Sequence, residues 1–200
     1  VEALRLSAYI AQISIVGPSE QLMKRLGGQV DYYIEEEGDI FDNLEAGLEP
    51  FDRNGHVLIA TSDIPMIREE IVTDFIRRCR DLEADVCYPI VEKRINDDKY
   101  PGFQRTYVRM KEGVFTGGNI VYVNPKAIKT CAEFARKVIA YRKNPWKTGR
   151  LLGIRFLLML FSGSLSISHV ENRIRQLLGI RAAAIISPFP ELANDVDKYS

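Results

Sequence analysis

The stretch that decides the fold is HVLIATSDIP, which occupies residues 56–65. Its first half is a continuous run of apolar residues, which is typical of a strand buried on both faces. The second half places Asp63 after this strand and before a helix, which we expect at residues 66–82. Ligands of open α/β sheets bind at this edge, where the strands end. Asp63 is therefore a candidate for chemistry, and a helix N-cap followed by Pro65 is the structural alternative.

Strands and helices alternate on both sides of this stretch. We expect further strands at residues 10–16, 31–34 and 85–91, and further helices at residues 20–26 and 40–49. Such alternation favours a mostly parallel sheet with helices on its faces. The charged residues 92–99 are expected to form a loop.

The alternation breaks in the second half of the chain. Residues 105–110 and 114–115 pair as a β-hairpin, which leads into Gly117-Gly118-Asn119 and a strand at residues 120–123. The pattern is then helical over residues 125–178, with breaks at Asn144-Pro145 and Gly163, and a last strand follows at residues 182–186. We predict an α/β fold of one domain over residues 1–200, in which residues 125–178 form a C-terminal helical insertion.

The composition excludes several classes of protein. The 200 residues include 27 basic and 27 acidic side chains, so the excess positive charge of a nucleic-acid-binding domain is missing. The longest apolar stretch, residues 151–161, contains Arg155 and is shorter than the roughly 20 residues of a membrane span. The three cysteines match no disulfide or metal framework. We expect a cytoplasmic protein with neither a nucleic-acid nor a membrane partner.

A second acidic motif follows the last strand. The sequence NDVDK at residues 194–198 contains Asp195 and Asp197. If the last strand joins the sheet, these carboxylates converge on the edge that carries Asp63. Carboxylates together with substrate phosphates are the ligands that Mg²⁺ prefers, so the pattern favours a Mg²⁺ site.

Three motifs together resemble the molybdenum-cofactor guanylyltransferase-like branch of the nucleotidyltransferases: TSDIP at residues 61–65, TGGNI at residues 116–120 and NDVDK at residues 194–198. The resemblance covers the chain up to Val123 and resumes near its end. It implies a glycosyltransferase-A-like fold, with a Rossmann-like sheet between two helical layers. It also implies transfer of a nucleotidyl group from a nucleoside triphosphate to a small-molecule acceptor, with release of pyrophosphate.

The resemblance also implies roles for single residues. Asp63 matches the family's metal-binding aspartate and would be the catalytic residue that anchors Mg²⁺. Asp197 matches the second metal ligand of related sugar-acid cytidylyltransferases, and Asp195 is its neighbour. Asn119 matches the asparagine that takes this second position in sugar-phosphate uridylyltransferases. Asp197 and Asn119 thus compete for one role, and we favour Asp197 because it is a carboxylate.

Three further residues are candidates for binding substrate. The resemblance places the acidic loop at residues 35–37 near the nucleobase, where Asn43 at the following helix could contact it. Lys93, expected after a strand, could meet a phosphate, or could be a solvated surface charge. Arg105, expected in the hairpin, could line the acceptor pocket, or could only pack across the strands.

Two features leave the interpretation open. Members of the family begin with a strand and a glycine-rich loop that holds the triphosphate, and this chain shows neither, which indicates a missing N-terminal segment of about 35 to 45 residues. A nucleotide-sugar-dependent glycosyltransferase is an alternative, because Asp195-Val196-Asp197 has the spacing of that class's metal motif. A non-catalytic nucleotide-binding scaffold is another.

The apolar residues 151–161 follow a basic and aromatic segment at residues 142–147. We expect these helices to pack against the sheet, since monomers seldom expose large apolar patches. A membrane or partner surface, a lid over the acceptor site, and the seam of a homodimer are the alternatives.

Overall fold

The computed structural model describes residues 1–51, 54–141 and 144–196. Its helices are α1 (Glu2–Leu6), α2 (Ser19–Leu26), α3 (Ile40–Leu48), α4 (Glu69–Arg80), α5 (Lys93–Lys99), α6 (Pro125–Tyr141), α7 (Pro145–Leu152), α8 (Ile154–Phe161) and α9 (Ile167–Leu178). Its strands are β1 (Ser14–Val16), β2 (Tyr32–Ile34), β3 (Val57–Ala60), β4 (Val86–Glu92), β5 (Val108–Met110), β6 (Gly113–Gly117), β7 (Ile120–Val123) and β8 (Ala182–Ser187). The fold is therefore α/β, as expected.

The larger sheet has six strands, and its pairing is mostly antiparallel. β7 lies between β3 and β4 and runs opposite to both, while β6 pairs antiparallel with both β5 and β4. Among the described strands of this sheet, only β8 pairs with β4 in parallel. The prediction of a mostly parallel sheet is wrong here, because the hairpin passes directly into β7 without a crossover helix, so the chain returns along β4 in the opposite direction.

The edge that carries the candidate site is nevertheless formed as expected. Because β7 is antiparallel to β3 and to β4, those two strands share one direction, and β8 shares it too. Their carboxyl ends lie at one edge of the sheet, together with the amino end of β7, where Ile120 pairs with Ala60. The residues after β3, before β7 and after β8 are thereby neighbours.

A second, smaller sheet consists of β1 and β2, which pair in parallel. Within the described residues, no backbone hydrogen bond joins β1 to β3. A cavity of about 630 Å³ lies between them, lined by Ser14 and Ile15 on one side and by Ala60 and Thr61 on the other. The single sheet that we expected is therefore divided into two sheets. We call the cavity between β1 and β3 the groove, because residues of both strands line it.

The main core lies under the candidate site. Phe75 of α4 is 1% exposed and belongs to the same buried cluster as Ile64, Ile120 and Leu192. These last three residues come from the loop after β3, the start of β7 and the loop after β8. One core therefore supports all three segments that carry the candidate residues.

Residues 92–99 are not the expected loop. Helix α5 spans most of them, and its side chains form the i,i+4 ion pairs Lys93–Asp97 and Arg94–Asp98. Such pairs stabilise a helix even where the sequence lacks the apolar periodicity from which helices are predicted. Lys93 therefore stands at the first turn of a helix.

The helical residues 125–178 contact the sheet at several points. The backbone N–H of Lys111 in the hairpin turn donates to the carbonyl of Leu165 at 2.9 Å. Glu171 of α9 accepts a hydrogen bond from the backbone N–H of Ala184 in β8 at 2.9 Å. The helices break near Asn144 and Gly163, as expected, and also at Gly153, which has a φ of 94°. That these helices and the sheet form one domain stays a prediction.

Candidate active site

Backbone hydrogen bonds join the three segments at the carboxyl edge of the sheet. Thr61 N–H donates to the carbonyl of Asn119 at 3.0 Å, and Asn119 N–H donates to the carbonyl of Leu192 at 2.7 Å. Val196 N–H donates to the carbonyl of Asp63 at 2.8 Å. The structure thus brings the backbones at Asp63, Asn119 and Asp195 together, although these residues lie far apart in the sequence.

Asp63 presents its carboxylate at the surface of this site. The residue is exposed, whereas the adjacent Ile64 is 6% exposed and anchors the loop in the core. The Thr61 hydroxyl donates to Oδ1 of Asp63 at 2.5 Å, which orients the carboxylate. Helix α4 begins only at Glu69, with Arg68 as its N-cap residue, so Asp63 does not cap it. The structural alternative for Asp63 is therefore wrong.

Asp195 forms an ion pair with Arg105, a residue of the segment before β5. Arg105 Nη1 contacts Asp195 Oδ1, and Arg105 Nη2 donates to the carbonyl of Gly117 at 3.4 Å. Both side chains are mostly buried. Arg105 therefore ties the C-terminal loop to β6 and neutralises the Asp195 carboxylate, a role that its position in the sequence did not indicate.

Two asparagines at this edge have buried side-chain atoms without partners among the described residues. They are Nδ2 of Asn119 and both polar atoms of Asn194, which is 0% exposed. A buried polar atom left unpaired costs about 1–3 kcal/mol, so such atoms call for a ligand or a water. Asn119 was found from its motif. Asn194 was not, because nothing in the sequence shows that it is buried.

Gly117 and Gly118 allow the end of β6 to approach β4 closely. A Cβ on Gly118 would lie 2.8 Å from Cγ of Pro89 and 3.1 Å from the carbonyl oxygen of Leu192. A Cβ on Gly117 would lie 2.3 Å from the hydroxyl of Tyr88, which itself donates to the carbonyl of Gly118 at 2.8 Å. The two glycines are thus required for the packing that positions Asn119.

Gly118→Ala is expected to destabilise the protein by about 1–3 kcal/mol, because the added methyl group overpacks a site enclosed partly by backbone. Urea unfolding followed by circular dichroism measures the change. Gly28→Ala is the matched control, since nothing lies within 4 Å of its Cβ position. Equal stability of the two variants would show that Pro89 and Leu192 leave room for a methyl group at Gly118.

Glu191 is a buried carboxylate beside the site that the sequence analysis missed. Its side chain is 3% exposed and receives hydrogen bonds from Lys99 Nζ at 2.6 Å and the Tyr100 hydroxyl at 3.2 Å. Arg68 Nη2 lies 3.5 Å away. Burial acts to raise the pKa of Glu191, but the hydrogen bond from Lys99 and the adjacent positive charge hold this pKa below its ordinary value. A lone acid within the apolar sequence SPFPEL was the available signal.

Glu191→Gln is expected to lower the free energy of unfolding at neutral pH by about 1–3 kcal/mol, through loss of charged hydrogen bonds. Because the folded-state pKa is depressed, this stabilisation is complete above the ordinary value of about 4.3 and is lost as the pH falls through the folded pKa. The variant should therefore lose less stability than the wild type between neutral and acidic pH. Unfolding curves across this range test it, with Glu20→Gln, in an exposed pair with Lys24, as the control. Parallel pH profiles for wild type and Glu191→Gln would refute it.

The structure does not bring the other sequence candidates into this group. Lys93 is paired with Asp97, whose hydrogen bond raises the pKa of Lys93. Oδ1 of Asn43 accepts from the backbone N–H of Glu37 at 2.7 Å and so holds the acidic loop. Asp197 lies outside the described residues.

The described residues hold few of the side chains that bind metal ions close together. Within residues 1–51, 54–141 and 144–196, no three His, Cys, Asp or Glu side chains are grouped to hold a metal ion. A Mg²⁺ ion needs fewer protein ligands, because it keeps waters and binds substrate phosphates beside one or two carboxylates. The exposed Asp63 fits that requirement, whereas Asp195 is engaged by Arg105.

The α/β fold, with an acidic residue at the carboxyl edge of its sheet, has the arrangement in which open α/β sheets bind ligands. A family model described as "MobA-like NTP transferase domain" matches residues 2–144. The chain belongs to this family, which confirms the resemblance noted in the sequence.

Two solved structures are similar to the chain. The chain is similar to a hypothetical transferase from Thermus thermophilus, with 36% identity and a TM-score of 0.85 over 98% of this chain and 81% of that one. It also shares the fold of a CMP:2-keto-3-deoxy-manno-octonic acid synthetase solved in complex with CTP, with 13% identity and a TM-score of 0.56 over 93% of this chain and 77% of that one. No curated protein matches the chain.

Proposed function

We propose that this protein is a Mg²⁺-dependent nucleotidyltransferase, which moves a nucleotidyl group from a nucleoside triphosphate to a small-molecule acceptor and releases pyrophosphate. The observation that carries the proposal is the meeting of Asp63, Asn119 and Asp195 at one edge of the sheet through backbone hydrogen bonds. Membership of the family supports a triphosphate as the donor substrate.

Asp63 is the residue proposed to hold the ion. Its carboxylate is exposed, and the hydrogen bond from Thr61 fixes its direction. When bound there, Mg²⁺ would neutralise charge on the triphosphate, and charge stabilisation of this kind lowers the barrier to phosphoryl-group chemistry by several kcal/mol. Asp197 is proposed as a second ligand on the resemblance alone.

The reaction is an in-line displacement at the α-phosphorus. An oxygen of the acceptor forms a bond to the α-phosphorus, while the bond from that phosphorus to the oxygen bridging to the β-phosphorus breaks, and pyrophosphate leaves. The protein's part is to position the two substrates and stabilise the developing negative charge.

The proposed donor site extends from Asp63 into the groove between β1 and β3. Thr61, Ser62 and Arg68 line this groove. The half-exposed guanidinium of Arg68, which also contacts Glu70 at 2.9 Å, would bring positive charge to the triphosphate. The unpaired Nδ2 of Asn119 offers a hydrogen-bond donor at the same edge. Asn43 would act indirectly, by holding the acidic loop that follows β2.

Arg105 and Asp195 are proposed to form the wall on the acceptor side. Arg105 keeps one guanidinium nitrogen, Nε, without a partner among the described residues. An acceptor phosphate that drew Arg105 away from Asp195 would free a carboxylate next to the metal-binding edge. This exchange couples acceptor binding to completion of the site.

Pyrophosphate release tests the proposal. The full-length protein is incubated with Mg²⁺, each of the four common nucleoside triphosphates and a panel of sugar phosphates and other phosphorylated acceptors. Release that requires both substrates and stops with EDTA supports the proposal. Nucleotide binding without release would indicate a non-catalytic scaffold, and cleavage of nucleotide sugars without use of triphosphates would indicate a glycosyltransferase.

A further inference from the structure

Helix α8 exposes an apolar stripe that the sequence analysis expected to be packed. Ile154 is 66% exposed, Leu158 is 64% exposed and Phe161 is 84% exposed. Their spacing of four and three residues places them on one face of the helix. The opposite side is less exposed: Leu157 is half-buried, and a Cβ added at Gly149 of α7 would lie 3.4 Å from its Cδ1. The expectation of a wholly packed helix is therefore wrong for this face.

The stripe lies in the most basic part of the chain. The sequence from residue 134 to residue 170 contains seven Lys or Arg residues and no Asp or Glu, although the whole chain has no net charge. Lys147 and Arg150 of α7 and Arg155 of α8 are all exposed. Arg150 and Arg155 form no ion pair within the described part of the chain, unlike Arg136, which is paired with Asp39 and Asp42.

We propose that α7 and α8 form a docking surface for the face of a membrane that contains anionic lipids. Phe161, Leu158 and Ile154 would enter the interface between headgroups and acyl chains, while Arg150 and Arg155 contact the lipid phosphates. An exposed apolar stripe flanked by unpaired cations is the pattern of helices that lie in such an interface. Helix α8 has eight residues, a length of about 12 Å, so its contact would be with the membrane surface. No helix in the described ranges is long and apolar enough to cross a membrane.

The positive charge of α7 and α8 favours an anionic membrane over a second copy of the chain as the partner of this surface. Two copies related by a two-fold axis would bring the same surface face to face. The positively charged surface around Arg150 and Arg155 would then face its own copy, and residues 134–170 contain no carboxylate to offset the repulsion. An anionic surface is complementary to this charge, and juxtamembrane basic residues favour such binding by about a factor of five each at moderate ionic strength.

Sedimentation with lipid vesicles tests the proposal. The full chain is mixed with vesicles of phosphatidylcholine alone or of phosphatidylcholine with phosphatidylglycerol. We expect sedimentation only with the anionic vesicles, and a decrease as salt is added. The double variants Leu158→Ser with Phe161→Ser, and Arg150→Gln with Arg155→Gln, are each expected to lower the partition by about tenfold or more.

Ile40→Ser is the matched control. Ile40 is as exposed as the stripe residues, at 71%, but it lies between the acidic residues Asp39 and Asp42 at the start of α3, where anionic lipids would be repelled. It should sediment with the vesicles as the wild type does, and circular dichroism confirms that each variant is folded. Equal sedimentation with neutral and anionic vesicles, or with neither, would overturn the proposal. A dimer in analytical ultracentrifugation that Phe161→Ser dissociates would overturn it in favour of self-association.

Discussion

Asp63→Asn is expected to lower kcat for nucleotidyl transfer by about a thousandfold or more. The substitution keeps the size of the side chain and its acceptor for the Thr61 hydroxyl, but removes the charge that the metal ion requires. Loss of charge stabilisation worth several kcal/mol corresponds to a decrease of this size. Initial rates of pyrophosphate release at saturating substrate measure the effect.

Asp98→Asn is the matched control for this experiment, because Asp98 is an exposed aspartate of α5 whose contact with Arg94 is 4.0 Å long. It should retain activity within about twofold, since exposed ion pairs contribute little. A rate for Asp63→Asn within a few-fold of the wild type would remove Asp63 from the metal-binding role.

Phe75→Ala is expected to lower the free energy of unfolding by about 3–5 kcal/mol. The side chain is 1% exposed, and its removal leaves a cavity that the surrounding helix and sheet only partly fill. Because Ile64, Ile120 and Leu192 belong to the same cluster, the three loops of the site should also loosen. Urea unfolding gives the stability, and the pyrophosphate assay shows whether kcat falls with it.

The control for Phe75→Ala is the same substitution at Phe161, which is 84% exposed. Phe161→Ala should change the free energy of unfolding by no more than about 0.5 kcal/mol, as exposed substitutions do. If both variants unfolded at the same urea concentration, the cluster around Phe75 would not be the core that supports the site.

The sequence was sufficient to predict which segments meet at the site. The apolar run before Asp63 and the apolar run before the C-terminal loop indicate strands, and both strands end at one edge. The sequence did not show whether β7 runs parallel or antiparallel to its neighbours, because that depends on which strands it pairs with. The apolar pattern of a short strand is the same in a parallel and in an antiparallel sheet.

The contacts that the sequence analysis missed are long-range or depend on burial. Arg105 and Asp195 are 90 positions apart, and nothing local marks one as the partner of the other. Glu191 is buried in the loop after β8, where it pairs with Lys99, which is 92 positions away. The exposed stripe on α8 was missed because periodicity shows that a helix has an apolar face but not what covers it.

One measurement tests the central claim that the loops around Asp63 form a metal-dependent nucleotide site. Crystals of the protein grown with Mn²⁺ and a non-hydrolysable nucleoside triphosphate are measured at the manganese absorption edge. We predict an anomalous peak about 2.2 Å from a carboxylate oxygen of Asp63, in contact with the triphosphate. A nucleotide bound with its metal ion away from Asp63, or a peak at Asp63 with no nucleotide beside it at saturating concentration, would contradict the claim.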